Sequence, residues 1–136
     1  QPDRWLAGAF GGETPNLKQE SMKSLNTANK LTDKEIRILS MCRNAIQSID
    51  ASAEVVLYGS RARGDAAPDS DFDLLILTDQ AVDLQQEARF SDALFPIEIE
   101  TGAVLTVSSY NRQQWNSPLH RAMPFRQNVE KDGVLL

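Results

Sequence analysis

The amino-acid sequence predicts a mixed α/β domain, in which a small twisted β-sheet is flanked by helices. Apolar residues recur at helical spacing between residues 32 and 50. Two short apolar runs, at 55–58 and 72–77, then have the length and the β-branched or aliphatic content of buried strands. Since strands that alternate with helices are typical of layered α/β proteins, we expect this class.

Composition excludes several other classes. The chain has 136 residues, with 14 basic and 19 acidic side chains, so its formal net charge is −5. One Cys excludes an intrachain disulfide, and one Cys with one His excludes the usual structural zinc sites. No apolar run approaches the roughly 20 residues that cross a bilayer. The acidic balance argues against a nucleic-acid partner. We therefore expect a cytoplasmic protein with no membrane contact.

Two regions are expected along the chain. Residues 1–29 show no sustained period and are expected to be a flexible N-terminal extension or tag, with Met22 as a candidate native start. Residues 30–136 are expected to form the folded domain. An alternative for the first region is that its apolar side chains dock on the domain or on a partner; these are Trp5, Leu6 and Phe10.

The first half of the domain is predicted in some detail. Thr32 and Glu35 have the spacing of a capping box, so a helix is expected from there to about Asp50, with Cys42 as an inert thiol in its apolar stripe. The run 55–58 is expected to be a strand that ends at a glycine. A short helix is expected within 60–67, before the second strand.

The second half is less regular. A helix is expected over 83–94, closed by Phe95-Pro96, and Ile97 to Val107 is expected to be a third strand. Two further helical patterns cover 110–115 and 119–131, with Gly133 as the stop.

Asp71 and Asp73 begin the second predicted strand. Residues two apart on a strand point to the same face, about 6.6 Å apart at their Cα atoms. Two parallel carboxylates can bind a pair of hard cations about 3.5–4 Å apart, the arrangement that clamps a transferring phosphoryl group. An Asp-x-Asp by itself also occurs as a solvated strand end, so the residues before it decide the interpretation.

Gly59-Ser60 ends the first predicted strand and opens the short helix. Backbone amides and a hydroxyl at such a turn can bind a phosphate, and the missing Cβ of Gly59 lets a phosphate oxygen approach. Arg63 can offset phosphate charge, and so can Arg61, although both also fit an ordinary surface loop. A phosphate turn and a carboxylate pair, joined by one short helix, together predict a nucleotide site with its metal ions.

These residues resemble a known family. Gly59-Ser60, ten residues and then Asp71-x-Asp73 is similar to the signature of the DNA polymerase beta-like nucleotidyltransferases, and the fuller pattern resembles their small, antitoxin-type minimal branch. The resemblance implies a mixed sheet flanked by helices, two Mg²⁺ ions, and transfer of a nucleoside monophosphate from an NTP such as ATP. It also implies that Gly59 and Ser60 hold the triphosphate and that Asp71 and Asp73 bind metal.

The resemblance further implies a third carboxylate on a neighbouring strand. Glu98 and Glu100 lie in the predicted third strand, and Glu98 fits the family pattern better. Glu stands where the family commonly has Asp, which puts full activity in question. The alternative is that both are ordinary strand residues facing solvent.

Partners follow from the same resemblance. Small members of this kind are the antitoxin half of a pair whose toxin is an all-helical HEPN-type protein, and the length leaves no room for an acceptor domain. A protein acceptor or a homo-oligomer is therefore expected. The competing function is a binding module that acts on its partner by contact, with catalysis weak or lost. A polymerase or tRNA-end-adding enzyme is disfavoured by the acidic charge.

Overall fold

A computed structural model describes residues 22–25 and 30–136. The secondary-structure elements are, in chain order, β1 Lys23–Ser24, α1 Asp33–Ile49, β2 Glu54–Tyr58, α2 Ser60–Arg63, β3 Phe72–Thr78, α3 Leu84–Thr101, β4 Leu105–Asn111, α4 Arg112–Trp115, α5 Pro118–Arg121, α6 Pro124–Asp132 and β5 Val134–Leu135. Within these residues, no helix combines the length and the apolar character that a membrane crossing requires.

The strands form one five-stranded sheet in the order β1-β5-β2-β3-β4. β2 and β3 are antiparallel, whereas β3 and β4 are parallel and are joined by α3, as a parallel pair requires a crossover connection. β5 lies antiparallel to β2 and parallel to β1. The predicted class, a mixed sheet flanked by helices, is confirmed.

The two faces of the sheet carry separate apolar clusters. Phe72, Leu74 and Ile76 of β3 pack with buried side chains of α1 and α3. Leu75 and Leu77 face the other way and pack with Trp115 of α4 and Val129 of α6. Since side chains alternate along a strand, Asp73 lies on the same face as Leu75, the face that α4 and α6 cover.

The first helix agrees with the sequence prediction. Thr32 and Glu35 form the expected capping box, in which each side chain accepts a hydrogen bond from the other residue's backbone amide, at 3.1 and 2.9 Å. Cys42 is fully buried in the core, as predicted. Burial raises the pKa of its thiol to about 12, and the negative charge of Glu98 raises it too, so the group stays protonated and unreactive at neutral pH.

The predicted end of the third helix is wrong. α3 continues through Pro96, which lies inside it, to Thr101. Gly102 then ends the helix with φ 77° and donates its N–H to the carbonyl of Glu98. Proline removes one helical hydrogen bond, but buried Leu94 and Ile97 on either side of it keep this helix packed against the sheet.

The strand predicted over 97–107 is therefore also wrong. Ile97 and Ile99 alternate with two acids and mimic the two-residue period of a strand. In the structure Ile97 is buried whereas Ile99 is 68% exposed, because on a helix these two residues point in different directions. The third long strand begins only at Leu105.

The last predicted helix is divided in two. α5 ends at Arg121, and α6 begins at Pro124, where a proline's missing N–H would have had no helical partner. Gly133 follows α6 as predicted and donates its N–H to the carbonyl of Val129.

The sheet includes residues that come before position 30, the predicted start of the domain. Lys23 and Ser24 pair with β5, and Leu25 is buried in the core. These residues fall within the 1–29 segment that was expected to be an extension, so the folded unit includes at least 22–25. The expectations for Trp5, Leu6 and Phe10 lie outside the described residues.

Candidate active site

The two halves of the sequence motif meet where the inner strand β2 ends and the neighbouring strand β3 begins. β2 ends at Tyr58, directly before Gly59-Ser60, and β3 begins beside it, with Asp73 opposite Tyr58 in the antiparallel register. Because antiparallel neighbours bring the end of one strand to the start of the next, the Gly-Ser turn and the Asp pair become neighbours.

Gly59 has a backbone conformation and an environment that exclude a side chain. Its φ is 79° and its ψ is −159°, in a region that L side chains rarely adopt. A Cβ atom built on Gly59 would overlap the carboxylate of Asp73. The missing Cβ, expected to admit a phosphate oxygen, thus first of all admits Asp73, which lies against the backbone of the Gly-Ser turn.

Ser60 begins α2, a helix of one turn. The carbonyls of Gly59 and Ser60 accept hydrogen bonds from Arg63 and from Gly64 and Asp65. The amides of Ser60, Arg61 and Ala62 have no carbonyl to bond inside the helix, because first-turn amides never do. These amides and the Ser60 hydroxyl are grouped beside the Asp pair.

The Asp pair has the electrostatics of a cation site. Burial raises the pKa of Asp73, and the negative charge of Asp71 raises it further, while Arg63 lowers it in part. A carboxylate whose ionised form is disfavoured by burial and by a neighbouring negative charge is stabilised by a cation bound next to it. Asp71 is exposed and Asp73 half-buried, so the pair opens to solvent at the start of β3.

Polar side chains from three strands lie next to this pair. Tyr58, Asp73 and Thr106 are direct neighbours across β2, β3 and β4, so their side chains share one face. The Thr106 hydroxyl donates a 3.1 Å hydrogen bond to Oδ2 of Asp71. Burial raises the pKa of the Tyr58 phenol, which also hydrogen-bonds Ser108 and lies near the charge of Asp73.

Arg61 is not a phosphate ligand in this structure. Its guanidinium is buried, donates to the Glu35 carboxylate at 2.6 Å, and lies 4.0 Å from the centre of the Phe72 ring. It also donates to the carbonyls of Pro68 and Ser70 at 2.6–3.0 Å. Arg61 therefore anchors the loop that leads into Asp71 to the first turn of α1.

Arg63 remains at the site surface. Its side chain is 46% exposed and pairs with Asp65 at 3.4 Å and with Asp132 at 3.8 Å. Exposed pairs of this kind are weak, about 0–1 kcal/mol, so the guanidinium can change partners when an anion binds nearby.

Glu98 and Glu100 are not on a strand next to the Asp pair. Both lie in α3, which packs on the sheet face opposite to Asp73. The Glu98 carboxylate accepts the N–H of Leu105 at 2.9 Å and thus caps the start of β4, and Glu100 is exposed. The structure brings together Gly59, Ser60, Arg63, Asp71 and Asp73 but neither of these two acids.

Thr106 and Tyr58 were missed from the sequence. The stretch 105–111 alternates Thr106, Ser108 and Tyr110 with other residues, a two-residue polar period that would have identified β4. The false alternation at 97–100 concealed it. Among residues 22–25 and 30–136, no three acids, histidines or cysteines are grouped as metal ligands.

Comparison with known proteins decides the family. The sequence profile described as a nucleotidyltransferase domain matches residues 39–132, more than half of the chain.

The chain belongs to the nucleotidyltransferase domain family. The match begins inside α1, spans the Gly-Ser turn and the Asp pair, and ends with α6. The resemblance seen in the sequence is thus confirmed at the level of the superfamily. A search of curated proteins returns no match.

Proposed function

We propose that this nucleotidyltransferase moves a nucleoside monophosphate, AMP from ATP in the first instance, to a hydroxyl acceptor. The observation that carries the proposal is the pairing of Tyr58 with Asp73, because this register sets the Gly-Ser turn against the Asp pair. In the reaction the acceptor oxygen bonds to the α-phosphorus, the bond to the β-phosphate oxygen breaks, and pyrophosphate and the acceptor's proton leave.

Each site residue has a role that its position supports. Ser60 and the first-turn amides of α2 bind phosphate oxygens, and Arg63 exchanges its weak surface pairs for the phosphate charge. Asp71 and Asp73 hold a divalent cation, with Mg²⁺ as the first candidate. Two carboxylates fit this ion, because Mg²⁺ in nucleotide sites is commonly bound by one or two carboxylates together with the phosphates. When bound, such an ion polarises the phosphoryl group under attack.

The acceptor in this proposal is a partner protein. This follows from the resemblance to antitoxin-type members, whose partner is an all-helical HEPN-type protein. The exposed apolar side chains along α3 offer a surface for such a partner; they are Leu84, Phe95 and Ile99.

The test is transfer of label from ATP. The protein, Mg²⁺ and ATP labelled at the α-phosphate are incubated with a HEPN-type candidate partner, and labelled protein is measured after electrophoresis. We predict that Asp71→Asn and Asp73→Asn each lower the labelling rate by about a hundredfold or more, since each removes a carboxylate that holds the cation, and it is the cation that stabilises the charge on the reacting phosphoryl group.

Asp69→Asn is the matched control. It removes an exposed acid two residues before Asp71 and should leave the rate unchanged. No labelling by the wild-type protein with any of the four ribonucleoside triphosphates, or full labelling by the Asp73→Asn variant, would contradict the proposal.

A second function is favoured by one observation. Thr106, and not a carboxylate, lies beside Asp73 on the neighbouring strand. A binding module that acts on its partner by contact needs no third carboxylate. If Asp71→Asn/Asp73→Asn still neutralises a co-expressed partner in full, contact is sufficient and the transfer proposal is wrong.

A further inference from the structure

Thr106 occupies a defined place next to the Asp pair. It is the direct neighbour of Asp73 in the parallel register of β3 and β4, with Cα atoms about 4.8 Å apart for strands so paired. Its hydroxyl contacts Oδ2 of Asp71 at 3.1 Å. A side chain at position 106 therefore reaches the space in which a cation between Asp71 and Asp73 would be bound.

The ligands on this face suffice for one divalent cation. Two carboxylates carry two negative charges and match one dication, whose other ligands are nucleotide phosphates and water. Two dications about 4 Å apart repel each other, and the nucleotide phosphates already serve as ligands of the first ion, so we expect a second ion to need a further carboxylate from the protein. Within the described part of the chain, the side chains that flank the pair on this face are hydroxyls, those of Tyr58, Thr106 and Ser108.

We propose that the site binds a nucleotide with a single divalent cation, and that Thr106 stands at the position where one carboxylate would create the second cation site. This inference rests on the proposed function and differs from the expectation of two ions that came from the family resemblance. The Thr106 hydroxyl then acts as a positioning group, because its hydrogen bond orients the Asp71 carboxylate toward the one cation.

The inference is tested by counting cations. Mn²⁺ serves as the probe, and its binding is measured by electron paramagnetic resonance and by equilibrium dialysis. Each of the four ribonucleoside triphosphates is used with a methylene bridge between the α- and β-phosphates, so that transfer cannot occur. The wild-type protein should bind one nucleotide-dependent Mn²⁺ per chain, and Thr106→Asp should bind two, with the spin coupling of a close pair.

Ser109→Asp is the matched control. It adds the same charge to the same strand, but residue 109 pairs with Ile76 and faces away from Asp73, so this variant should bind one Mn²⁺. Circular dichroism and thermal unfolding confirm that both variants are folded.

The outcomes separate the two proposals. Two Mn²⁺ ions on the wild-type protein, or one on a folded Thr106→Asp variant, would overturn the role given to residue 106. No nucleotide-dependent Mn²⁺ on the wild-type protein with any analogue would instead overturn the proposed function.

Discussion

At residue 59 the backbone has φ 79°, and the Asp73 carboxylate lies where a Cβ atom would be. One glycine therefore meets two demands, since it adopts the turn that starts α2 and leaves room for a proposed metal ligand. Gly102 has nearly the same φ, 77°, but nothing lies within 4 Å of the corresponding Cβ position. The two glycines differ in ψ as well, because Gly102, with ψ 2°, lies in the left-handed helical region, whereas Gly59, with ψ −159°, lies in a region used almost only by glycine.

Gly59→Ala is predicted to damage both stability and binding. Backbone strain together with the displaced Asp73 should lower the free energy of unfolding by about 3 kcal/mol. Nucleotide-dependent Mn²⁺ binding should weaken at least about tenfold, which is 1.4 kcal/mol of affinity. Urea unfolding and a Mn²⁺ titration measure the two effects.

The control is Gly102→Ala, which carries the milder strain of a left-handed helical residue and no overlap with another side chain. It should lose about 1–2 kcal/mol of stability and keep wild-type Mn²⁺ affinity. Equal affinities for the two variants would show that the space over Gly59 is not needed by Asp73.

At the scale of elements, α3 shows how packing overrides a local signal. Pro96 predicted an end to the helix, yet α3 continues because Phe90, Leu94 and Ile97 are buried against the sheet. Because the helix continues past Pro96, Glu98 lies near the start of β4, where its carboxylate accepts a hydrogen bond from the Leu105 N–H. The proline is exposed and makes no contribution to that packing.

Pro96→Ala is therefore predicted to stabilise the protein. It restores a backbone donor in the helix interior and removes a poor helix former, and the free energy of unfolding should rise by about 1–3 kcal/mol. Pro124→Ala is the control, because Pro124 opens α6, where proline is well tolerated, and this change should be near neutral. Urea unfolding compares the two, and a less stable Pro96→Ala variant would contradict the explanation.

At the scale of the whole molecule, a buried polar network joins the helical layer to the sheet. It lies at the end of β3, whereas the candidate site lies at the start of that strand. The carboxylate of Asp50, after α1, accepts hydrogen bonds from Thr78 at the end of β3, from Ser52 at 2.7 and 3.0 Å, and from Gln86 of α3 at 3.4 Å. Burial by itself would raise the pKa of Asp50, but the hydrogen bonds from Thr78 and Ser52, with the charge of Arg112, lower it below its usual value.

This lowered pKa sets a pH dependence of stability. An acid whose pKa is lower in the folded state stabilises the fold above its unfolded pKa, about 3.9, and loses that contribution as pH falls through the folded pKa. The contribution is thus fully present at pH 7 and declines below about pH 4.

We predict that Asp50→Asn lowers the free energy of unfolding at pH 7 by about 1–3 kcal/mol, because an amide replaces a charged hydrogen-bond acceptor. The difference from wild type should shrink as the pH falls below about 4. Urea unfolding at pH 7, 4 and 3 measures it. Asp79→Asn, an exposed acid paired with Arg112 at the same end of β3, should change stability by less than about 1 kcal/mol at each pH. A constant difference between wild type and Asp50→Asn would contradict the assignment.

The sequence by itself determined the α/β class, the capped first helix and both strands of the motif. It also indicated that the Gly59-Ser60 turn lies close to Asp71 and Asp73. These features depend on local signals: a capping box, continuous apolar runs and a spacing of ten residues between the Gly-Ser turn and the first acid. Such signals act within a few residues of the chain, so they can be read without the fold.

Only the tertiary structure decided what completes the site. The alternation in Ile97-Glu98-Ile99-Glu100 fits a strand and a helix about equally, and burial of Ile97 under the sheet selects the helix. That choice moves Glu98 to the opposite face and places Thr106 beside Asp73. The neighbour of a strand residue depends on register and sheet order, which the chain specifies only once its helices have packed.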